Sequence, residues 1–404
     1  MRILRLVTPL AAAIFFVKSS HADPCAALPG AAIYIENGDT QENLLKKLGS
    51  SLVRSGAFLR IIYQNQPTCT LASDFYNPVT HHIVSTGARP VRYIPTAAED
   101  PTWEPSKLAP TCEVVDGDAA TIQLAIGATY LSSCAGLTPR ADVRVFTGPA
   151  QSYGFVVPTG SSQIALTAEE GFFAFGYAND TGQAEPWTDQ NLRFIRASTA
   201  STALTSSAAI NLKASALKGT IAGGNTSGEL LAAVIASPTP EKTIGILGTE
   251  VFDANRAVAK ILAFRGFNQR FAYFPDKTST SFDKQNVRDG HYLPWAPTPY
   301  LAYAPGGLIA DASAKRVVDL IVNLKDEADV SGIDPIISSG LVPECAMKVQ
   351  RAFDGGELST FAPAEPCGCY FEAKVPQGST KCVTCTNDST CGTGACRRGY
   401  CEAR

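Results

Sequence analysis

The sequence predicts an α/β fold with a mainly parallel sheet, followed by a small disulfide-rich tail. Three observations lead there. Short apolar runs that read as strands alternate with segments of helical periodicity, the order that builds strand-helix-strand units. The 404 residues include 45% hydrophobic and 18% charged positions, enough for a buried core in two or three domains and too apolar for wholesale disorder. The twelve cysteines fall in two groups, four before residue 135 and eight after residue 344.

Taken in order, Arg2 and Arg5 precede an apolar run from Leu6 to Val17, and Ser20-His21-Ala22 offers small residues at both positions a signal peptidase reads. The run is shorter than the roughly 20 residues a membrane-spanning helix needs, so cleavage before Asp23 is expected. Removing residues 1–22 takes away Arg2, Arg5 and Lys18 and no acid, which moves the net charge from −3 to about −6. The mature protein is expected to be periplasmic or secreted, where cysteines form disulfides. Each cysteine group is even and could close on itself, with the pairing left open. From Cys367 onward there are seven, so at least one must pair outside the tail, and Cys345 is the nearest candidate. Cys382-x-x-Cys385 has the spacing of a zinc ligand pair, but no second CxxC and no tail histidine accompany it.

Ala31–Ile35 reads as the first strand. Asp39 or Thr40 is expected to cap a helix carrying Leu44, Leu45, Leu48 and Leu52, with Glu42 three residues after Asp39 as in a capping box. Phe58–Tyr63 is the second strand. Proline-rich residues 64–113 read as an excursion held by Cys69 and Cys112, and Ala119–Tyr130 as a helix running into a strand. Gly154–Pro158, Leu192–Ile195 and Thr243–Leu247 are further strands. Helices are expected after the Thr167 cap, at Ser201–Ile210, Leu230–Ser237, Ala254–Leu262 and Ala312–Leu324.

Chemistry is harder to find. The near balance of 34 basic and 37 acidic residues leaves no field for nucleic acid. Ser215-x-x-Lys218 and Ser281-x-x-Lys284 match SxxK but lack the SDN and KTG partners that give the motif meaning, and no GxSxG or HExxH occurs. His81-His82 has no supporting ligand cluster, and Asp116-Gly117-Asp118 is too short for a calcium loop and reads as a turn. No enzyme, cofactor or metal is therefore expected. Two hydroxyl-rich segments instead follow strands and open helices: Asn37-Gly38-Asp39-Thr40, and Arg196 to Thr202. A helix N-terminus offers free N–H groups to an anion, and Arg196 could clamp an oxyanion; ordinary capping and a salt bridge are the competing reading. Asp39 would itself occupy the positive end of the first helix.

These segments give the chain a resemblance. Ile33–Leu48, Gly148–Val157, Pro186–Asp189 with Phe194–Arg196, and Ile244–Leu247 resemble, in order, stretches of the phosphate-type periplasmic substrate-binding proteins of ABC transporters. The resemblance covers about residues 30–330 and implies two α/β lobes that close on a ligand. It implies lobe 1 at 23–148 and 263–362, lobe 2 at 149–262, and, outside it, a Cys-rich module at 363–404. It further implies a small anion, phosphate-like, bound by Thr40, Arg196, Ser198, Ser201 and Thr202, with an ABC transporter or envelope component as partner. The family's second ligand loop resembles R-x-D-x-S-G-T; here Arg196 and Thr202 match, while Ser198 and Ala200 replace the acid and the first serine. Leu124–Thr129, which looks like the strand before the family's other aspartate, carries no acid. The alternative is an envelope adhesion or structural protein that keeps the fold without the ligand.

Overall fold

The computed structural model describes residues 22–79, 81–86, 89–115, 120–178 and 184–403; residues 1–21 of the expected leader and the Asp116–Asp118 turn lie outside them. Strand β1 (Ala32–Asn37) alternates into helix α1 (Glu42–Leu52), whose Leu44, Leu45, Leu48 and Leu52 are all buried, and β2 (Arg60–Asn65) returns parallel to β1. The proline-rich excursion is more ordered than its composition suggests. It holds α2 (Thr68–Tyr76), β3 (Val91–Tyr93) and β4 (Thr111–Cys112), and its cysteines pair as Cys25–Cys112 and Cys69–Cys134. Cys69 and Cys112 both secure it, but not to each other.

The expected helix over Ala119–Tyr130 is not formed by the described residues, which keep only β5 (Leu124–Ile126) there. The reason is a partner far back in the chain: Gln123 Oε1 accepts the Tyr34 N–H at 2.8 Å, which holds the segment extended along β1. Strand β6 (Val143–Pro158) then runs for 16 residues. After it come β7 (Ala165–Thr167), α3 (Ala168–Gly176), β8 (Arg193–Ile195), α4 (Ser201–Ala209), β9 (Thr220–Ile221), α5 (Ser227–Ile235) and β10 (Ile244–Gly248). Thr167 caps α3 in a full capping box with Glu170.

The helix expected at Ala254–Leu262 is instead the end of α6 (Thr249–Ala254) followed by β11 (Ala259–Ile261). Ala259 and Ile261 point into the core while Lys260 does not, a period of two that fits pairing with β6. The chain continues through β12 (Ala263–Arg265), α7 (Gln285–Arg288), β13 (Trp295–Tyr303), α8 (Ala312–Ile321), α9 (Ile333–Ser338), β14 (Val349–Gln350) and β15 (Ser359–Thr360). The tail adds α10 (Gly368–Lys374), β16 (Ala395–Arg397) and β17 (Tyr400–Glu402).

The main sheet runs β4-β3-β2-β1-β5-β13-β6-β10-β8-β9, with β11 also on β6. It is mixed rather than mainly parallel. β1 pairs parallel with β2 and β5, and β8 with β10 and β9, but the centre is antiparallel: β13 on β5 and β6, and β10 on β6. The fold is thus α/β with two lobes strung on one sheet. One core packs α1, α8 and α9 against β1 and β2, a second lies under α2 on the other face, and a third surrounds the later half of β6. That third core also takes in Phe264, Val287, Tyr292 and Trp295.

The tail is fastened by Cys345–Cys367 and closed internally by Cys369–Cys382, Cys385–Cys396 and Cys391–Cys401. The Cys382-x-x-Cys385 pair is consumed in two separate disulfides. Phe371 is buried in the third core, Tyr370 donates to Asp334 at 2.7 Å, and Arg288 reaches Glu372 at 3.1 Å. Among the described residues no helix is long and apolar enough to cross a membrane.

Candidate ligand site at the lobe seam

Asp39 follows β1 in a single 3-10 turn, Asp39–Gln41, which leads into α1. The expected cap does not form: α1 begins without a side-chain cap, and the Glu42 carboxylate instead accepts from Tyr63 Oη at 2.9 Å and Asn65 Nδ2 at 2.6 Å. The Asp39 carboxylate crosses to the other lobe. Its Oδ2 accepts from Arg196 Nη1 at 2.9 Å and from the Ser227 backbone N–H at 2.8 Å, at the first turn of α5. A carboxylate there is favoured by the open N–H groups of the helix end.

Arg196 leaves the end of β8 and is buried. Besides Asp39 it donates through Nη1 to Ser227 Oγ at 2.6 Å and through Nε to Asn225 Oδ1 at 3.2 Å. Asn225 has φ 63°, a left-handed conformation asparagine tolerates, and its Oδ1 also accepts the Ala197 N–H at 2.9 Å. Burial pushes the Asp39 carboxyl up, but the Arg196 charge and the hydrogen bonds from Arg196 and Ser227 outweigh it, and the net shift is below the usual carboxylate value.

The remaining expected ligands divide. Thr40 is buried, and its hydroxyl and that of Thr68 both flank Gly38, where a Cβ would stand 3.5 and 3.8 Å from them. Thr68 Oγ1 accepts the Ala128 N–H at 3.1 Å, and the Ala128 carbonyl accepts from Tyr153 Oη at 2.5 Å. Ser201 is hydrogen-bonded to that same tyrosine hydroxyl. The Thr199 carbonyl accepts the Cys69 N–H at 3.1 Å, so the start of α4 sits directly on the start of α2. Thr202 is buried, and its Oγ1 has no hydrogen-bond partner among the described residues. Ser198 is exposed in the turn before α4 and does not join this group.

Several residues of the seam were not singled out in the sequence. Gln41 Nε2 donates to Gln151 Oε1 at 3.3 Å, and Gln151 Nε2 donates to Glu250 Oε2 at 2.5 Å, a chain from one lobe to the other. Burial, with the Asp39 and Asp253 charges adding to it, pushes Glu250 up to about 8. The stretch after β5 has no acid of its own, yet Asp354 supplies one from far along the chain. It accepts from Thr129 at 2.7 Å, Ser133 at 2.5 Å and Thr205 of α4 at 3.0 Å. Burial raises the Asp354 carboxyl above its ordinary value, against those three hydrogen bonds. No local pattern could have placed it, because every partner is more than a hundred residues distant.

The Ser281-x-x-Lys284 motif gains no support. Lys284 Nζ is buried between Asp253 at 2.6 Å and Asp276 at 3.0 Å, which together hold it as a cation despite burial. A lysine so held cannot serve as a general base. His81 Nδ1 lies 3.1 Å from the Phe75 carbonyl.

The chain matches no protein-family model and no curated protein. Among solved structures it is similar to a putative phosphate ABC transporter substrate-binding protein with bound phosphate from Clostridium perfringens, at 12% identity and a TM-score of 0.47, over 77% of this chain and 99% of that one. It is similar to an ABC-type phosphate transport receptor from Vibrio cholerae, at 13% identity and a TM-score of 0.45, over 78% and 100%. The reduced OxyR regulatory domain from Pseudomonas aeruginosa is a further neighbour, at 10% identity and a TM-score of 0.37, over 72% and 96%.

Proposed function

We propose that this is an exported solute-binding protein that captures a small, phosphate-like anion between its lobes and hands it to an ABC transporter. The observation that carries the reading is the Asp39 carboxylate on Arg196 and the Ser227 N–H. The seam already recognises an oxyanion, supplied by the protein itself. A free anion would take its place, with Arg196 and the α5 N-terminus as fixed donors. Thr40, Ser201 and the unpartnered Thr202 hydroxyl would complete the shell, and Ser198 would stand at its rim. Asp39 then acts as an internal competitor, which lowers affinity for any anion by the strength of its own contact.

The same contact favours a second reading, an envelope scaffold in which Asp39 has permanently replaced the ligand. One experiment separates them: thermal shift of residues 23–404 with phosphate, sulfate and small organic anions, in the wild type, Asp39→Asn and Arg196→Ala. Free ligand at a hundred times its dissociation constant stabilises by about 2.7 kcal/mol, a rise of several degrees. For a receptor, one anion gives that rise, Asp39→Asn strengthens it and Arg196→Ala removes it. For a scaffold, no anion shifts any of the three proteins.

A further inference from the structure

A cavity of about 340 Å3 adjoins Glu250, where the Gln41–Gln151–Glu250 chain ends. Asn43 and Lys47 of α1 line one wall, Glu250 and Asp253 of α6 another, and Ser339 and Phe282 border it. Two of these side chains end in oxygens with no hydrogen-bond partner among the described residues: Glu250 Oε1 and Ser339 Oγ. Their residues are only 3% and 4% exposed, so bulk water does not satisfy them. An orphaned buried polar atom costs roughly 1–3 kcal/mol, and two bordering one cavity indicate a missing partner.

The chemistry of that partner follows from the donors. Gln151 donates to Glu250 Oε2, which leaves Oε1 to carry the acid proton of the neutral carboxyl. Ser339 adds a hydroxyl. Lys47, whose Nζ donates to the Ser338 carbonyl, adds a positive charge and further N–H groups. Asp253 is already neutralised by Lys284 and Arg256, each at 2.6 Å. The wall is therefore rich in donors, with Lys47 a cation that forms no ion pair among the described residues and the ring of Phe282 beside them.

We propose that this cavity binds a small free carboxylate, held by Glu250, Ser339 and Lys47 with its hydrocarbon end towards Phe282. The size suits a compact ligand, near the lower limit of ordinary small-molecule pockets. Because α1 and α6 belong to different lobes, such a ligand would tie them together. The site shares Glu250 with the seam but uses neither Arg196 nor Thr202, so Arg196→Ala should abolish anion binding at the seam and leave carboxylate binding here in place.

Acidity gives the site a signature. Burial, then Asp39 and Asp253, push Glu250 up to about 8, while burial and the neighbouring Lys46 bring Lys47 down to about 8. Above that pH Glu250 becomes an anion and Lys47 loses its charge, so both changes expel a carboxylate. The test is calorimetric titration with acetate, butyrate and succinate at pH 6.5 and pH 9. At least one should bind at pH 6.5 and weaken at least tenfold at pH 9, and Lys47→Met and Ser339→Ala should each weaken it about tenfold at pH 6.5. In the wild type the same carboxylate should slow acylation of Lys47 by an amine reagent, read by peptide mass spectrometry, which needs no variant to fold. Absence of binding across the panel overturns the proposal. So does binding that ignores both substitutions, or Lys47 acylated at an unchanged rate.

Discussion

At the scale of single residues, the protein buries ionisable groups of opposite tendency. Asp39 is held below its ordinary value, so the stability it contributes is complete above its unfolded pKa of 3.8 and disappears as pH falls through the lower folded value. Glu36 and Glu250 do the reverse. Burial pushes each to about 8 from 4.5, so in that window the folded state binds more protons than the unfolded one and stability falls as pH rises. Urea midpoints measured from pH 4.5 to pH 8 should decline, since Asp354 and other buried carboxyls shift in the same direction, and Glu250→Gln should flatten the decline by removing one of the two largest shifts. A midpoint that rises across the window, or a Glu250→Gln profile that matches the wild type, would contradict this assignment. Removal of the Asp39 charge acts differently: Asp39→Asn leaves Arg196 buried without its counterion and should cost about 2–3 kcal/mol at neutral pH, somewhat below a fully buried pair because Asp39 retains a little solvent contact.

At the scale of elements, what could be read in the sequence was what neighbouring residues determine. The Thr167–Glu170 capping box, the leucine stripe of α1 and the apolar runs of β1, β8 and β10 are all local patterns, and the structure forms each of them. The misread segments are those where a distant partner decides. Leu124–Ile126 is paired beside β1, and Ala259–Ile261 pairs with β6 instead of extending a helix. Asp39 shows the same effect at the site, since its carboxylate satisfies α5 rather than the helix it precedes. The two kinds of determinant should differ in energy. Thr167→Ala loses a local cap and should cost about 1 kcal/mol. Gly332→Ala would put a Cβ 1.9 Å from the Leu320 carbonyl oxygen, where α9 starts against α8, and should cost at least about 1–3 kcal/mol. Denaturant midpoints of the two variants give the order directly, and an equal or reversed order would show that the α8–α9 junction yields more than its packing suggests.

At the scale of the whole molecule, the cysteine count foretold that a tail cysteine must reach outside, and Cys345–Cys367 is that link. The internal pairing was not legible, because odd and even counts restrict a set without ordering it. Breaking the link with Cys345→Ser and Cys367→Ser together frees a separation of 22 residues and should cost about 2–4 kcal/mol, with a matching fall in melting temperature. The docked Phe371 should then become accessible to an apolar dye; a double variant that melts like the wild type would mean that α10 holds itself in place through Phe371, Tyr370 and Glu372. The long strand β6 has a consequence of its own. Its first part pairs with β13 and its last part with β10 and β11, so both lobes hang from one continuous backbone. Such a connection behaves as a leaf spring, not as a pin between free plates: any relative rotation must bend hydrogen-bonded strands. The ladder is interrupted at one place, where the register slips between Pro297 and Pro299, two residues with no N–H to give, and there the Tyr300 ring packs so closely over Gly148 that a Cβ would stand 2.4 Å from it. Opening the seam at Asp39 would therefore have to flex this strand and its partners rather than turn about a free joint.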